Sequence, residues 1–354
     1  MGLKEALEKS IESLGKEADL PTMGSSFSTG DISAWIPSGI TPLDIALGGG
    51  LPLGRMSELY SREESEGKST LCIHFAAQCQ TAGGVVVWLE SEAALDKARA
   101  VRMGLDLEKV VIYGPPTVED GFAFIRNMIR NIKSDEDLKS VPVLVVWDTI
   151  AAAPTKAEKE EDNEYGEGIA RKPRIISNAL HDLTLEFFKC KVHLIMVNQT
   201  YTTFSKFGPG YSTPGGKAIK FHASIRLELY KSGVVEDDNG QPVGIQTTFF
   251  VKKNKLALPH RKGTLILYGE RGYSNIMSMA QNFIDKEHSD MLKQGGGWYS
   301  LCGGDVKCRW KDLLETVKKS QSIFKAWQDK FKDIWPLPPG RGPDPKNGWI
   351  VPVK

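Results

Sequence analysis

The residues of this chain best suited to chemistry are Gly67-Lys68-Ser69-Thr70. They lie between a predicted strand, Arg55 to Tyr60, and an apolar helical segment, Leu71 to Ala77. A strand, a tight loop and a helix in this order form a phosphate-binding loop, in which backbone N–H groups and the helix N-terminus face the phosphates. The lysine bridges the outer phosphates and the hydroxyl beside it binds Mg²⁺. The segment therefore predicts a site for a nucleoside triphosphate.

The loop before Gly67 departs from the pattern G-x-x-x-x-G-K-[ST]. The glycine expected five residues earlier is Arg62, and Ser61–Glu66 contains three carboxylates where a triphosphate would lie. A β-carbon at a position that needs positive φ costs roughly 1–2 kcal/mol. We therefore expect either strain at Arg62 or another loop path, with Ser61 or Arg62 folded outward. The chain is then either an NTPase with an unusual loop or one that has lost part of its chemistry.

Polar residues also follow three apolar strands that the sequence predicts. These are Val85–Leu89 before Glu90-Ser91-Glu92, Val143–Trp147 before Asp148-Thr149, and His193–Val197 before Asn198-Gln199. In an open α/β sheet, ligands bind at the carboxyl ends of the strands. Asp148 would hold Mg²⁺ through its water shell, Glu92 would polarise an attacking water, and Gln199 would sense the outermost phosphate. A single acid after a strand is often a helix cap, but several polar strand ends in succession favour a catalytic site.

Composition favours a globular protein without a membrane partner. The chain has 354 residues, enough for one large core and one or two small satellites, and a net charge of +1. No apolar run approaches the ~20 residues that span a bilayer, and Met1 to Glu5 lack the apolar segment of a signal peptide. The five cysteines are scattered and favour a reducing compartment. We expect a cytoplasmic protein, in which any nucleic-acid site comes from local rather than net charge.

The patterns divide the chain into four segments. Residues 1–31 hold an amphipathic helix, 3–14, and a polar linker; a lone helix with one apolar stripe must dock on its own core or on another subunit. Residues 32–270 alternate strands and helices, and continuous apolar strands predict a mostly parallel sheet with helices on both faces. Residues 271–335 turn helical and basic. Residues 336–354 form a Pro/Gly-rich tail that we expect to be extended.

Seven segments carry a resemblance to a known family. They are Ser38–Gly48, Gly54–Tyr60, Glu90–Asp96, Trp147–Ala152, Val197–Gln199, Pro214–Phe221 and Lys252–Lys255. From about residue 3 to 300 the chain resembles the RecA family of homologous-recombination proteins, and its divergence is more typical of a viral relative than of a bacterial housekeeping member. The resemblance implies an α/β fold: a RecA-like P-loop ATPase core, an N-terminal helix packed on the adjacent protomer, and a small α+β C-terminal domain.

The resemblance also assigns residues to the nucleotide site. Those implied to bind ATP are Glu66, Gly67, Lys68, Ser69, Thr70, Asp96, Arg99 and Tyr268, the last three near the base. Ser69 and Asp148 would hold Mg²⁺. Arg99 stands where the family typically has an aromatic residue, and a guanidinium can also stack on a base.

The implied catalytic residues are Lys68, Glu92, Gln199, Lys253 and Lys255. Glu92 looks like the catalytic glutamate, and Gln199 looks like the switch between nucleotide and DNA sites. Lys253 and Lys255 look like the pair that reaches across a subunit interface to the neighbour's triphosphate, so that hydrolysis depends on assembly. Without the resemblance, the two lysines would be interpreted as a basic edge strand.

Two loops are implied to bind single- and double-stranded DNA, roughly 159–168 and 200–214. The implied DNA contacts are Arg174, Tyr201, Phe204, Lys206, Phe207, Tyr211, Gly215, Gly216 and Lys217. Aromatic rings between lysines suit stacking on bases while cations meet phosphates. The alternative, a small core under a loop, is disfavoured because these rings lack apolar neighbours. The basic residues after Gly297–Ser300 would form either a duplex-capturing surface or a solvated helix.

The favoured function is a DNA-dependent ATPase that forms a helical filament on single-stranded DNA and catalyses homologous pairing and strand exchange in recombination and repair. One alternative is a non-hydrolysing filament scaffold with a degenerate phosphate loop, against which the retained Glu92, Asp148 and lysine pair argue. Another is a helicase or branch-migration ATPase on the same core, which usually carries a zinc finger or protease-like domain that this sequence lacks. Single-strand-binding and loader proteins are further implied partners.

Overall fold

The computed structural model describes residues 32, 34–135, 137–138, 141–160, 171–205, 208–304 and 306–337. The chain divides into two compact units, Met1–Ile32 and Ser33–Lys354, and the described fold belongs to the second. Helix 3–14, most of the first DNA loop, Lys206, Phe207 and the tail after residue 337 lie outside the described residues. The predictions for these segments, and the domain boundaries, stay predictions.

Strands and helices alternate along the second unit. The strands are β1 (Trp35–Ile36), β2 (Leu51–Pro52), β3 (Met56–Ser61), β4 (Val85–Glu90), β5 (Val110–Tyr113), β6 (Val143–Asp148), β7 (Val192–Gln199), β8 (Tyr201–Ser205), β9 (Gly208–Ser212), β10 (Ile225–Glu236), β11 (Pro242–Asn254), β12 (Lys262–Tyr268), β13 (Gly272–Ser274), β14 (Leu292–Gly295), β15 (Trp298–Leu301) and β16 (Lys307–Cys308). The helices are α1 (Thr41–Leu47), α2 (Lys68–Thr81), α3 (Lys97–Arg102), α4 (Val118–Ser134), α5 (Lys156–Glu160), α6 (Arg171–Lys189), α7 (Gly216–His222), α8 (Asn275–Asp285), α9 (Leu313–Lys318) and α10 (Gln321–Ile334).

One mixed sheet of nine strands organises the fold, in the order β13-β12-β11-β10-β3-β7-β6-β4-β5. The six strands from β10 to β5 run parallel, and β10 continues through antiparallel pairs into β11, β12 and β13. The predicted mostly parallel α/β sheet is confirmed. β3, which leads into the phosphate loop, lies between β10 and β7, with Leu59 paired to Leu227 and Val197.

Helices cover both faces of this sheet, as continuous apolar strands require. Leu71 and Phe75 of α2 pack into one apolar core, and Phe122 of α4 packs with Trp147 in the core of the other face. A β-carbon at Gly121 would lie 2.4 Å from the Trp147 ring, so the glycine lets α4 approach β6 closely. Thr117 caps the N-terminus of α4, where its side chain accepts the N–H of Asp120. This packing fixes the end of β6, where Asp148 was predicted to bind Mg²⁺.

The segment predicted to be the second DNA loop contains a β-hairpin. β8 pairs antiparallel with β9, with Tyr201 opposite Ser212 and Thr202 opposite Tyr211. The family resemblance implied a loop over residues 200–214. The run Tyr201–Phe204 consists of aromatic and β-branched residues, which favour strands, and this preference determines the local structure.

After β13 the chain forms α8 and then a small antiparallel sheet, β14-β15-β16, with α9 and α10. The Phe283 ring meets Trp327 edge-on, with ring centroids 5.3 Å apart, in a core that also contains Phe331. The residue patterns predicted a helical segment here, and the α+β structure was implied by the family resemblance without named strands. Among the described residues, none of the helices is long and apolar enough to cross a membrane.

Candidate nucleotide and DNA-binding site

The turn from β3 into α2 depends on Gly67. Gly67 caps α2 with φ +92°, a left-handed conformation that favours glycine. A β-carbon there would also lie 2.0 Å from the Tyr273 hydroxyl oxygen. Glycine is therefore needed for both its conformation and its size, and the N-terminus of a 14-residue helix is directed at the loop.

The Glu66 carboxylate closes the phosphate loop by binding main-chain N–H groups of the loop and of β10. One oxygen accepts the backbone N–H groups of Arg62 and Glu63, at 3.2 Å each, and the other accepts the N–H of Lys231 in β10 at 2.8 Å. Glu66 is buried. One of the three carboxylates that we expected to face the triphosphate is thus bound to the protein main chain.

The loop follows the outward path that was one of two alternatives. Left-handed non-glycine backbone occurs at Ser65, with φ 57°, and not at Arg62. The Arg62 side chain turns away, so that its Nε donates to Glu228 at 3.2 Å. The alternative of strain at Arg62 is therefore wrong in position: the left-handed residue is Ser65.

Lys68 and Asp148 lie buried at the base of the loop. The Lys68 ammonium donates to the Ser61 hydroxyl at 2.5 Å and to the Glu63 carbonyl at 3.4 Å. Burial lowers the pKa of Lys68, while Asp148, Glu66 and Glu92 act in the opposite direction. Burial raises the pKa of Asp148 to about 6, although a hydrogen bond from Ser69 opposes the shift. A buried cation and a buried carboxyl side by side suit a ligand that brings both phosphate and a divalent ion.

Glu92 is held beside this pair. The Thr149 hydroxyl donates to its carboxylate at 2.7 Å. The Glu90 carboxylate holds the segment after β4 by accepting the backbone N–H groups of Glu92 and Ala94. The carboxylate predicted to polarise water is thus oriented from β4 and from the end of β6.

One cavity of about 410 Å³ collects most of the predicted nucleotide residues. Its lining includes Glu66, Gly67, Lys68, Ser69, Thr70, Glu92, Arg99, Asp148 and Gln199. Asp96 and Tyr268 do not line it: Asp96 caps α3 by accepting the N–H of Arg99 at 2.9 Å, and Tyr268 lines clefts beside β13 and the small sheet. Glu64, Ser65, Ala94, Thr149 and Leu267 complete the wall.

Lys253 and Lys255 lie apart from this cavity within the chain. The Lys253 ammonium donates to the carbonyls of Lys220 and Phe221, at 2.6 and 2.9 Å, and Lys255 donates to the same Phe221 carbonyl at 3.2 Å. Burial and the neighbouring Lys255 lower the pKa of Lys253 to about 8. The pair is held at the C-terminal end of α7, where orphan carbonyls accept cations.

All the predicted DNA contacts except Arg174 follow Gln199 along the chain. Tyr201 and Tyr211 are 49% and 58% exposed on the hairpin, and Arg174 and Lys217 are exposed near the starts of α6 and α7. Gly215 and Gly216 have φ +88° and +68°, and a β-carbon at Gly215 would lie 2.5 Å from Ile219. The two glycines therefore shape the turn into α7. Phe204 lies in β8, and only its backbone is described.

Sequence reasoning missed a buried network that joins these elements. Asn198 donates to Glu58 at 3.0 Å and to the Pro214 carbonyl at 3.2 Å, and Arg226 donates to the other Glu58 oxygen at 2.5 Å. Glu58 and Asn198 are fully buried. The network ties β3, β7 and β10 to the end of the DNA hairpin segment. Its only sequence signal was the position of Asn198 at a strand end.

Comparison with known proteins gives the family. A family model described as the RecA N-terminal domain matches residues 1–274. Protein RecA of Methylococcus capsulatus is 35% identical over 313 residues, covering 86% of this chain and 85% of that protein. Protein RecA of Francisella philomiragia is 32% identical over 341 residues, covering 92% and 89%. Protein RecA of Bartonella quintana is 37% identical over 269 residues, covering 75% and 73%.

The chain belongs to the RecA family. Membership of this family implies nucleotide binding, and the cavity around Lys68 is lined by charged and hydroxyl side chains. The chain lacks the first glycine of the phosphate loop, and its Glu66 carboxylate binds main-chain N–H groups of the loop and of β10.

Proposed function

We propose that this RecA-family protein is a DNA-dependent ATPase that assembles on single-stranded DNA into a helical filament and catalyses homologous pairing and strand exchange. The main support is that one cavity is lined by Lys68, Asp148, Glu92 and Gln199. The hairpin begins two residues after Gln199. Nucleotide and DNA sites thus share a strand, β7, through which occupancy of one can affect the other.

ATP with Mg²⁺ fits the donors in this cavity. Ser69 and Asp148 are a hydroxyl and a carboxylate, the oxygen ligands that Mg²⁺ prefers. Bound Mg²⁺ would supply charge neutralisation at the phosphates. Lys68 would exchange Ser61 for a phosphate oxygen, and Glu92, held by Thr149, would orient the attacking water. Gln199 would report the outermost phosphate to the hairpin.

The lysine pair supports turnover between subunits. The ammonium groups of Lys253 and Lys255 donate to carbonyls of α7 in their own chain, and neither residue lines the cavity around Lys68. On a neighbouring copy they would stabilise charge on the transferred phosphoryl group, so that hydrolysis would depend on filament assembly. Single-strand-binding and loader proteins remain predictions from the family resemblance.

The decisive experiment is ATP hydrolysis with and without single-stranded DNA, beside Lys68→Ala. Stimulation by DNA that is lost in Lys68→Ala supports the proposal. DNA binding without hydrolysis would favour the scaffold instead. Rings rather than filaments in electron micrographs would favour a helicase.

A mixing experiment tests the arrangement between subunits. Lys68→Ala retains the lysine pair but lacks a phosphate site, whereas Lys253→Ala/Lys255→Ala retains the site but lacks the pair. We expect each to be inactive and an equimolar mixture to recover part of the activity. If the mixture is as inactive as each variant alone, the lysine pair does not act on the phosphate site of a neighbouring copy.

A further inference from the structure

Arg62 contacts the DNA hairpin as well as the phosphate loop. Its guanidinium carbon lies 4.8 Å from the centroid of the Tyr211 ring, within cation–π range. Its backbone N–H donates to Glu66, and its Nε donates to Glu228. The residue that replaces the expected glycine therefore joins the main chain of the phosphate loop to β9.

We propose that Arg62 is a positioning residue that couples the two sites: it holds the Tyr211 ring in the free protein and yields it to single-stranded DNA. The inference rests on the proposed function, since it requires DNA to bind at the hairpin. Bases stack on aromatic faces, and a guanidinium occupies such a face here. Arg62 and a base therefore compete for Tyr211.

Lys68 connects this competition to the nucleotide. In the structure, its ammonium donates to the Ser61 hydroxyl and to the Glu63 carbonyl, the residues on either side of Arg62. A triphosphate attracts the same ammonium. Binding of nucleotide therefore removes two of the contacts that fix the backbone around Arg62, while those to Glu66 stay, and so weakens the hold of Arg62 on Tyr211 and favours DNA binding.

A neighbouring lysine offers a matched control. Lys252 also pairs with Glu228, at 3.0 Å, and also lies over an aromatic ring, that of Phe250, at 4.5 Å. Its side chain is 38% exposed and that of Arg62 is 49% exposed. Lys252→Gln thus removes the same charge from the same carboxylate without touching Tyr211.

The test measures the affinity for a fluorescent oligo-dT by anisotropy, without nucleotide and with a non-hydrolysable ATP analogue. We expect Arg62→Gln to tighten nucleotide-free DNA binding about two- to five-fold and to leave binding with the analogue nearly unchanged. Loss of a positive charge by itself weakens DNA binding, so Lys252→Gln should show weaker binding or none of this gain. In a Tyr211→Leu background, Arg62→Gln should no longer tighten binding.

Weaker or unchanged nucleotide-free binding in Arg62→Gln would overturn the inference, as would an equal gain in the Tyr211→Leu background. Both side chains are about half exposed, so the variants should fold, and circular dichroism checks this. A wild-type protein that binds no DNA with or without the analogue would overturn the proposed function and the inference together. Wild-type binding that the analogue strengthens, with no effect of Arg62→Gln, would overturn the inference alone.

Discussion

The Thr149 hydroxyl donates a hydrogen bond of 2.7 Å to the Glu92 carboxylate. The bond fixes one carboxylate oxygen and leaves the other able to accept a hydrogen bond from water. We expect Glu92→Gln to lower DNA-stimulated hydrolysis about 10²–10⁴-fold, the range for loss of general base catalysis, with little change in nucleotide affinity. Steady-state rates and titration with a fluorescent nucleotide would measure the two effects. A similar loss of affinity would mean that Glu92 binds rather than catalyses.

Glu66 should matter more to stability than its neighbours in the loop. In Glu66→Ala, the N–H groups of Arg62, Glu63 and Lys231 lose their acceptor, which we expect to lower the free energy of unfolding by about 1–3 kcal/mol. Glu66→Gln keeps one oxygen and should lose less. Urea unfolding measures the difference, and Glu64→Ala, which removes an exposed carboxylate from the same loop, is the control. Equal stability of the two alanine variants would contradict the role of Glu66.

Removal of one partner from the ion pair of Arg226 and buried Glu58 should destabilise the protein. Arg226→Met leaves the Glu58 carboxylate buried without its cation, which we expect to cost about 3–5 kcal/mol of unfolding free energy. Removing both charges, in Glu58→Gln/Arg226→Met, should restore much of the loss. Lys318→Met breaks an exposed pair with Glu315, which solvent screens, and should leave stability nearly unchanged. Comparable losses in the buried and exposed single variants would argue against the network.

His74 should make the protein sensitive to acid. Burial lowers its pKa from 6.5 to about 4, and its Nε2 accepts the backbone N–H of Tyr273 at 2.8 Å. Because the folded pKa lies below the unfolded one, the neutral ring contributes stability that is complete above pH 6.5 and is lost as the pH falls towards 4. The loss is up to about 3 kcal/mol.

The matched variant is His74→Gln, whose amide oxygen can also accept the Tyr273 N–H. We expect its unfolding free energy to fall less than that of the wild type between pH 7.5 and pH 5. Buried His193, whose pKa is also lowered to about 4, contributes equally to both proteins and does not affect the comparison. Parallel pH profiles would show that His74 does not titrate as described.

The sequence predicted the sheet and the strand-end residues because both depend on local patterns. Apolar runs such as Val143–Trp147 indicate buried strands, and parallel strands bring Glu92 and Asp148 to one edge. The path of the phosphate loop was not predictable, since it depends on Lys231, 165 residues away from Glu66 along the chain. The family resemblance predicted that Tyr268 contacts the base of the nucleotide. Its side chain lines other clefts, because its orientation depends on packing against the small sheet.

Closure of the loop by Glu66 has a consequence for how this segment can change in evolution. The groups that Glu66 binds are main-chain N–H groups, which any residue except proline supplies. Substitutions at positions 62, 63 and 231 therefore leave the closure intact, whereas position 66 must keep an acceptor of the right length. As far as loop closure is concerned, we expect substitutions other than proline to be tolerated at positions 62, 63 and 231, and position 66 to be the one that does not tolerate loss of its carboxylate or amide oxygen.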